Sequence, residues 1–131
     1  MYSKYKFLKK GIGLISTQRI TKGVTVGIYM QKGIPLVEDC VKINDGWVET
    51  YPLGRFLNHS TSPNLDFNIL NSKVVLVASR NISKNEELLV NYLSLKKLLN
   101  IPDKIIDVYK VRNFSEDREK IISTSNHVSF L

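Results

Sequence analysis

The apolar residues of the first 92 positions fall into short runs separated by turn residues, and this pattern constrains the fold more than any other feature. A run of about four to eight residues that is rich in β-branched side chains is typical of a strand. Six such runs predict strands: Ile12–Ser16, Val24–Met30, Leu36–Ile43, Leu65–Leu70, Lys73–Ser79 and Glu87–Tyr92. Between two of them, Asn71-Ser72 is short enough to close a hairpin. The sequence therefore predicts a mainly β body.

The spacing of the apolar residues changes after Tyr92. Leu95–Leu99 has helical spacing and predicts a short helix. Asp103 is a suitable N-cap for a second helix, and Ser115, which two acidic residues follow, is a suitable start for a third. These segments predict a helical appendage at the C-terminal end of the chain.

The length and composition of the chain are those of one globular domain. A chain of 131 residues has room for one hydrophobic core. The hydrophobic fraction of 43% and the charged fraction of 24% argue against disorder. Since no linker-like stretch interrupts the sequence, we predict one domain over residues 1–131, with a core of about residues 5–93 and the helical appendage at residues 94–131.

Several classes of protein are disfavoured by what the sequence contains. The longest apolar run, Val74–Ala78, is far too short to span a membrane, and the basic N-terminus has no apolar stretch that would make it a secretory signal. Cys40 is the single cysteine, so an internal disulfide and a cysteine-built zinc cluster are excluded. With only His59 and His127, a histidine-built metal site is also disfavoured. We expect an intracellular, cytoplasmic protein that binds neither a membrane nor a metal.

The net charge of +7 lies entirely in the N-terminal third of the chain. Residues 1–37 hold seven basic and no acidic side chains, whereas the remainder holds 12 of each. Such an excess attracts an acidic partner or nucleic acid. It is equally typical of a solvated face that keeps a small protein in solution. The charge alone does not choose between these two interpretations.

Four spans carry residues that could form a site, and each has an ordinary structural interpretation when taken alone. Lys10–Gly13 contains two glycines, which allow close approach to a ligand but are also common in plain turns. A Lys-Gly turn at Lys22-Gly23 leads into a strand that ends in Tyr29, an arrangement that is equally typical of a core strand. Arg55–Ser60 reads Arg-Phe-Leu-Asn-His-Ser, and its amide and imidazole can bond either the backbone or a ligand. Glu86–Tyr92 reads Glu-Glu-Leu-Leu-Val-Asn-Tyr and ends in a tyrosine that can cap a core or enter a site.

Taken in this order, the four spans resemble the SET family of protein lysine methyltransferases. The family combines a Gly-X-Gly turn, a Lys-Gly turn before a strand that ends in tyrosine, an Arg-Phe-X-Asn-His-Ser element followed by Pro-Asn, and a Glu-Glu-Leu strand that ends in tyrosine. The third element is completed here by Pro63-Asn64, and the resemblance covers residues 10–92. It implies a SET-type β-clip fold in which the late strand threads beneath the Asn-His-Ser loop, as in a pseudoknot. Small, free-standing proteins of this type are known from viruses and bacteria, which would place the protein in the cytoplasm of a bacterium or of a viral host.

The resemblance also implies a cofactor and a set of site residues. S-adenosylmethionine (SAM) would be the methyl donor, S-adenosylhomocysteine (SAH) the product, and no metal would take part. Tyr92 would be the catalytic tyrosine, and Tyr29 would line the channel that admits the target lysine. The residues expected to contact the cofactor are Lys10, Gly11, Ile12, Gly13, Arg55, Asn58, His59 and Tyr92.

The chemistry explains why tyrosines suit such a channel. Methyl transfer is an in-line displacement at a sulfonium, so the attacking lysine must be a neutral amine, although a free lysine has a pKa of about 10.4. Burial among aromatic rings and a nearby positive sulfur both disfavour the charged amine. The protein then has to align the amine with the methyl carbon, and the hydroxyl of Tyr92 is a short, rigid group for this purpose.

This chain departs from the family in its C-terminal part. Many members carry a cysteine-rich zinc segment that completes the lysine channel, which a chain with one cysteine cannot build. The appendage would have to replace it, with Tyr109 or Phe114 against the adenine. Dimerisation would bury the open surface of so short a chain. Because a basic N-terminal third would repel a basic histone tail, we expect a lysine-bearing, non-histone or nucleic-acid-associated protein as substrate.

Three alternatives remain open at this point. The chain could be a catalytically weak SET-like binding module. It could be a small basic nucleic-acid-associated protein, which would need its aromatic and basic side chains on one surface, and only Tyr2, Tyr5 and Phe7 lie among the basic residues. A cysteine hydrolase built on Cys40 and His59 is disfavoured because Cys40 lies within an apolar strand pattern.

Overall fold

The computed structural model describes residues 1–8, 11–34, 40, 42–44 and 46–101. In these residues the chain forms short strands, as the turn-rich sequence predicts, together with two helices. They are, in order, β1 (Tyr2–Phe7), β2 (Gly11–Ser16), β3 (Thr25–Lys32), β4 (Lys42–Asn44), β5 (Trp47–Glu49), α1 (Leu53–Phe56), β6 (Asn58–His59), β7 (Leu65–Leu70), β8 (Lys73–Ala78), β9 (Leu89–Val90) and α2 (Tyr92–Leu99).

The largest sheet has five strands in the order β4-β5-β3-β8-β7, and all neighbouring strands are antiparallel. The predicted hairpin between β7 and β8 is confirmed: Leu70 pairs with Lys73, so Asn71 and Ser72 form a two-residue turn. Asn71 adopts a φ of 55°, a left-handed conformation that asparagine accepts better than most residues. This hairpin is the most local part of the fold.

A separate two-stranded sheet is formed by β1 and β2, which run antiparallel from Tyr2 opposite Ser16 to Phe7 opposite Gly11. Strand β2 was predicted, but β1 was not. The four central residues of β1 are exposed, so the strand lacks the buried, alternating apolar face by which a strand is recognised in a sequence. Its backbone pairing with β2 stabilises it instead.

The third sheet joins two segments that lie far apart in sequence. Strands β6 and β9 are parallel, with Asn58 beside Leu89 and His59 beside Val90. On its other side, the chain just before β9 pairs with β2: the N–H of Leu88 donates to the carbonyl of Leu14 at 2.9 Å. Residues 86–90 therefore lie between β2 and β6. This is the threaded arrangement that the resemblance implied, and the mainly β fold is confirmed.

The predicted strand Glu87–Tyr92 is wrong in its extent. Regular pairing with β6 covers only Leu89–Val90, and Tyr92 is the first residue of α2 and not the end of a strand. The helix begins there because the Asn91 side chain caps it, accepting a hydrogen bond from the N–H of Leu93 at 2.9 Å. The sequence pattern placed the start of this helix three residues too late, since it registered Leu95 and overlooked the cap.

Other predictions fall on residues that the structure leaves undescribed. Of the appendage at residues 94–131, the described part is the end of α2 and the two residues after it, so the segments predicted from Asp103 and Ser115 lie outside the described residues. Most of the predicted strand Leu36–Ile43 also lies outside them. No helix in the described part of the chain is long and apolar enough to cross a bilayer.

The hydrophobic core lies between the five-stranded sheet, α1 and the threaded segment, and both candidate tyrosines, Tyr29 and Tyr92, are fully buried in it. Helix α1 contacts β3 closely enough to require a glycine. A Cβ atom at Gly54 would collide with the carbonyl oxygen of Tyr29 and would lie 3.2 Å from the Cα of Glu49. The segment that leads into Arg55–His59 is thus fixed against β3 by backbone contact.

Candidate active site

The pairing of β6 with β9 brings the Asn-His element and the late tyrosine together. The N–H of Tyr92 donates to Nδ1 of His59 at 3.0 Å, and the two rings lie 5.0 Å apart between centroids. The Tyr92 hydroxyl donates to the carbonyl oxygen of Leu57 at 2.7 Å. Tyr92 is therefore fixed at its backbone and at the tip of its side chain by the segment that carries Asn58 and His59.

The hydroxyl group of Tyr92 donates its proton in a hydrogen bond to one acceptor, the carbonyl oxygen of Leu57. Tyr92 is fully buried, and a phenolic oxygen carries one proton and two lone pairs. Since the proton is directed to Leu57, the oxygen can act towards a further group only as an acceptor. The phenol ring is held rigidly in this orientation.

The side chain of Asn58 ties three segments together. It is 5% exposed, and its Nδ2 donates to Oε2 of Glu87 at 2.9 Å and to the carbonyl oxygen of Ile12 at 3.4 Å. β6 thereby contacts both β2 and the segment before β9 through one amide. A buried amide with such partners is costly to remove, because its neighbours would lose their hydrogen bonds.

Glycine is favoured at the two positions of the Gly-X-Gly turn, Gly11 and Gly13, for different physical reasons. Gly11 adopts a φ of 74°, which favours glycine. At Gly13 a Cβ atom would lie 2.7 Å from Nδ2 of Asn58, 2.7 Å from Oε2 of Glu87 and 2.9 Å from the ring of Phe7. The space beside Gly13 is filled by the protein's own Asn58–Glu87 pair, so this glycine permits internal packing.

A second buried amide, Asn64, was not predicted as a functional or structural centre. Its Nδ2 donates to the carbonyl oxygen of Glu87 at 2.8 Å and to Oε2 of Glu86 at 3.0 Å, and its Oδ1 accepts from the N–H of Leu89 at 2.8 Å. It is fully buried. Asn64 therefore holds the threaded segment in place from one side while Asn58 holds it from the other. The Pro-Asn pair of the motif was the signal that could have revealed it.

The two adjacent acidic residues of the threaded segment have different roles. Glu87 accepts the Asn58 amide, whereas Glu86 forms an ion pair with Arg80 at 2.6 Å and also accepts from the N–H of Ser83. The Arg80 guanidinium, together with the hydrogen bonds from Asn64 and Ser83, lowers the pKa of Glu86 below its ordinary value of 4.5, against a smaller opposing effect of burial. Glu86 is thus held as a carboxylate on the outer side of the threaded segment.

The remaining predicted site residues lie near this centre but contact other groups. Tyr29, on β3, packs edge-to-face against Phe67 with ring centroids 4.9 Å apart, and Thr50 bonds its carbonyl oxygen. Arg55 is fully buried in α1, with its guanidinium carbon 5.0 Å from the centre of the Phe56 ring. Lys10 lies outside the described residues. The structure thus brings Ile12, Gly13, Asn58, His59 and Tyr92 together around β6, with Tyr29 and Arg55 in the adjoining core.

The residues of the cysteine-hydrolase alternative lie in different surroundings. Cys40 is 3% exposed and lines a cavity of about 260 Å³. The other described residues of the cavity wall come from β3, β5 and the residues that follow each of them, whereas His59 lies on β6 with its Nδ1 occupied by Tyr92. The lining residues are Gln31, Ile34, Cys40, Val48, Glu49, Thr50 and Tyr51.

Two of the three aromatic residues of the N-terminal strand, Tyr5 and Phe7, lie on the face opposite to its lysines. Tyr5 and Phe7 contact each other on one face, with ring centroids 4.9 Å apart. Side chains alternate along a strand, so Lys4 and Lys6 point to the opposite face. There the Lys4 ammonium donates to the Tyr51 hydroxyl at 2.7 Å. The Tyr5–Phe7 pair therefore lies apart from the lysines of β1, whereas Tyr2 lies on the same face as Lys4 and Lys6.

Comparisons with known proteins agree with this geometry. A family model of the SET domain matches residues 36–93. A candidate histone methyltransferase of Plasmodium falciparum is 24% identical with a TM-score of 0.51, and the match covers 70% of this chain and 96% of that protein. The methyltransferase domain of human SETMAR is 23% identical with a TM-score of 0.51, over 71% of this chain and 44% of that one. KRYPTONITE, solved with mCHH DNA, an H3(1–15) peptide and SAH, is 28% identical with a TM-score of 0.52, and the match covers 70% of this chain and 23% of that one.

The matched region contains β6 and the threaded segment of the candidate site, whereas β2 and β3, which carry Gly13 and Tyr29, lie before it. Residues 36–93 thus match the SET-domain family that the four motifs implied. Its SET domain and the methyltransferases among its structural neighbours support methyltransferase activity. The chain spans less than half of the SETMAR and KRYPTONITE structures that it matches. A comparison with curated proteins finds no match.

Proposed function

We propose that the protein is a protein-lysine N-methyltransferase that transfers a methyl group from SAM to a lysine side chain and releases SAH. The observation that carries this proposal is the parallel pairing of β6 with β9, which fixes Tyr92 against the segment that bears Asn58 and His59. The SAH molecule in the KRYPTONITE structure supports the choice of cofactor.

The residues around β6 suit a molecule that carries an ammonium, a carboxylate and an adenine. The N–H of Ser60 donates to the carbonyl of Val90, so in this extended segment the N–H and C=O of the preceding residue, His59, point to the opposite edge of β6. A main-chain donor beside an acceptor matches the edge of an adenine. The Asn58 amide and the backbone of Gly11–Gly13 provide polar groups for the amino-acid end. When bound, SAM would supply an activated methyl group on a sulfonium.

The contribution of Tyr92 follows from its hydrogen bond to Leu57. Because the phenolic proton is already donated, the hydroxyl oxygen presents lone pairs and can accept from the target amine and orient it. Tyr92 need not gain or lose a proton for this. Its burial keeps bulk water from the oxygen, and a dry site disfavours the charged form of the lysine that enters it. We therefore assign orientation of the amine to Tyr92.

Tyr29 is proposed to line the path of the lysine side chain. Its ring is fully buried, and its contact with Phe67 together with the Thr50 hydrogen bond to its carbonyl oxygen holds it on β3. Rigid aromatic walls restrict the rotamers of an entering side chain, and this lowers the entropic cost of aligning the amine with the methyl group. Arg55, buried beside them, is proposed to support this part of the site without touching the amine.

The proposed substrate is a lysine-bearing protein. KRYPTONITE holds a histone peptide, but the basic N-terminal third of this chain makes a non-histone or nucleic-acid-associated protein our proposal. We further propose that the SET core and the C-terminal appendage form one domain, in an intracellular protein that can act as a homodimer.

Incubation of the purified protein with methyl-labelled SAM and a cell lysate tests the proposed activity. We expect labelled lysine in at least one protein band, and about 100-fold or greater loss of transfer in Tyr92→Phe, because an oriented polar group at a reacting centre typically contributes about 10²–10³. Tyr51→Phe is a matched control, since Tyr51 is 44% exposed and contacts Lys4. SAM binding without any labelled protein would favour a binding module, and full transfer by Tyr92→Phe would refute the role of the hydroxyl.

A further inference from the structure

The orientation of the Asn58 amide is determined by the groups that face it. Both partners of its Nδ2, the Glu87 carboxylate and the Ile12 carbonyl, are acceptors. The amide nitrogen must therefore point towards β2 and Glu87, and the amide oxygen must point away from them. We infer that Glu87 is a positioning residue that keeps the oxygen of Asn58 turned towards the cofactor.

Glu87 is the stronger of the two partners. Its hydrogen bond is 2.9 Å long and ends on a carboxylate, whereas the bond to Ile12 is 3.4 Å long and ends on a neutral carbonyl. The pair is part-buried, and Gly13 lies directly beside it. A charge-assisted hydrogen bond that is partly shielded from water is difficult for solvent to replace in full. A rotated amide would place its oxygen against the Glu87 carboxylate, so Glu87 selects one of the two orientations.

This orientation has a consequence for ligand selection, and the inference rests on the proposed function. An amide oxygen accepts from an ammonium, whereas an amide nitrogen would place its own hydrogens against it. The part of SAM or SAH that carries such a charge is the α-amino group. Glu87 thus determines, through Asn58, that the site prefers a ligand with an α-ammonium group over one that lacks it.

The test compares two ligands on isosteric variants. The dissociation constants of SAH and of an SAH analogue in which hydrogen replaces the α-amino group are measured by calorimetry for wild type, Glu87→Met and Glu87→Gln. Methionine keeps the length of the side chain but provides no comparable acceptor, and glutamine retains an acceptor oxygen. Glu86→Met is the matched control, since the neighbouring carboxylate bonds Asn64, Ser83 and Arg80 and not Asn58.

We expect the wild type to prefer SAH over the analogue by about 10- to 100-fold, the effect of one hydrogen bond to a charged group. In Glu87→Met this preference should fall to about threefold or less, while the affinity for the analogue changes little. Glu87→Gln and Glu86→Met should retain the preference. Equal losses for both ligands in Glu87→Met, or an unchanged preference, would overturn the inference, because a merely structural role would not distinguish the ligands.

A measurement on the wild type covers the case in which Glu87→Met does not fold. In ¹⁵N-asparagine-labelled protein, the side-chain NH₂ of Asn58 should be protected from exchange and should keep its resonance when SAH is added, since the nitrogen faces Glu87. Rapid exchange, or a large shift on addition of SAH, would show that the nitrogen faces the ligand and would refute the inference. A folded wild type that binds no SAH would instead refute the proposed function.

Discussion

Replacing Asn64 by alanine should destabilise the fold markedly. The change removes three hydrogen bonds and leaves the carbonyl of Glu87 and the N–H of Leu89 without their side-chain partner. An unsatisfied buried backbone group costs about 1–3 kcal/mol. Both groups are partly buried, so we take the lower part of this range for each and expect a loss of about 2–4 kcal/mol in the free energy of unfolding. A domain of this size typically has about 5–15 kcal/mol in total.

Urea denaturation followed by circular dichroism measures this loss, provided that the slope of the transition is unchanged. Asn81→Ala is the matched control, because Asn81 is exposed and its Oδ1 accepts one hydrogen bond, from the N–H of Lys22 at 2.8 Å. Water can replace that bond, so we expect a loss of about 1 kcal/mol or less. If the two variants lost stability equally, the view that Asn64 holds the threaded segment would be refuted.

Three further predictions concern the same framework. Gly54→Ala should destabilise the fold by about 2 kcal/mol or more in thermal denaturation, because the Cβ of the alanine would meet the Tyr29 carbonyl. A loss of stability under about 0.5 kcal/mol would contradict that packing. Asn85 has a φ of 68°, so Asn85→Ala should cost about 1 kcal/mol in urea denaturation while Asn85→Gly should be nearly neutral; equal effects would contradict the conformational argument. Because the pKa of Glu86 is lowered in the fold, Glu86 contributes stability above about pH 4.5 that is lost as the pH falls below that value. Glu86→Gln should therefore lose less stability on acidification than the wild type does. An unchanged pH profile of stability would contradict this.

The parts of the fold that sequence reasoning predicted are those set by local patterns. The β7–β8 hairpin was predicted because a two-residue turn separates two β-branched runs. β1 has no local signal, since its exposed residues are held by pairing with β2. The start of α2 was missed because the pattern of apolar residues says nothing about the Asn91 cap.

The features of the candidate site also fall into those that sequence motifs predicted and those that depend on contacts between distant segments. Motif order indicated that the Asn-His element and Tyr92 belong together, and the pairing of β6 with β9 places them side by side. The reason for a glycine at position 13 could not be predicted, because it depends on an amide and a carboxylate that come from two distant segments. The role of Asn64 was hidden for the same reason, since its partners lie more than 20 residues away in sequence.

The parallel pairing of β6 with β9 also has a consequence for biosynthesis. During translation, Asn58 and His59 leave the ribosome well before their partners Leu89 and Val90, and contacts between such distant segments form slowly. The β7–β8 hairpin can fold in the meantime, because its strands are neighbours in sequence. A nascent chain that stops before residue 92 would hold a completed hairpin but not the contacts that fix Tyr92 beside His59.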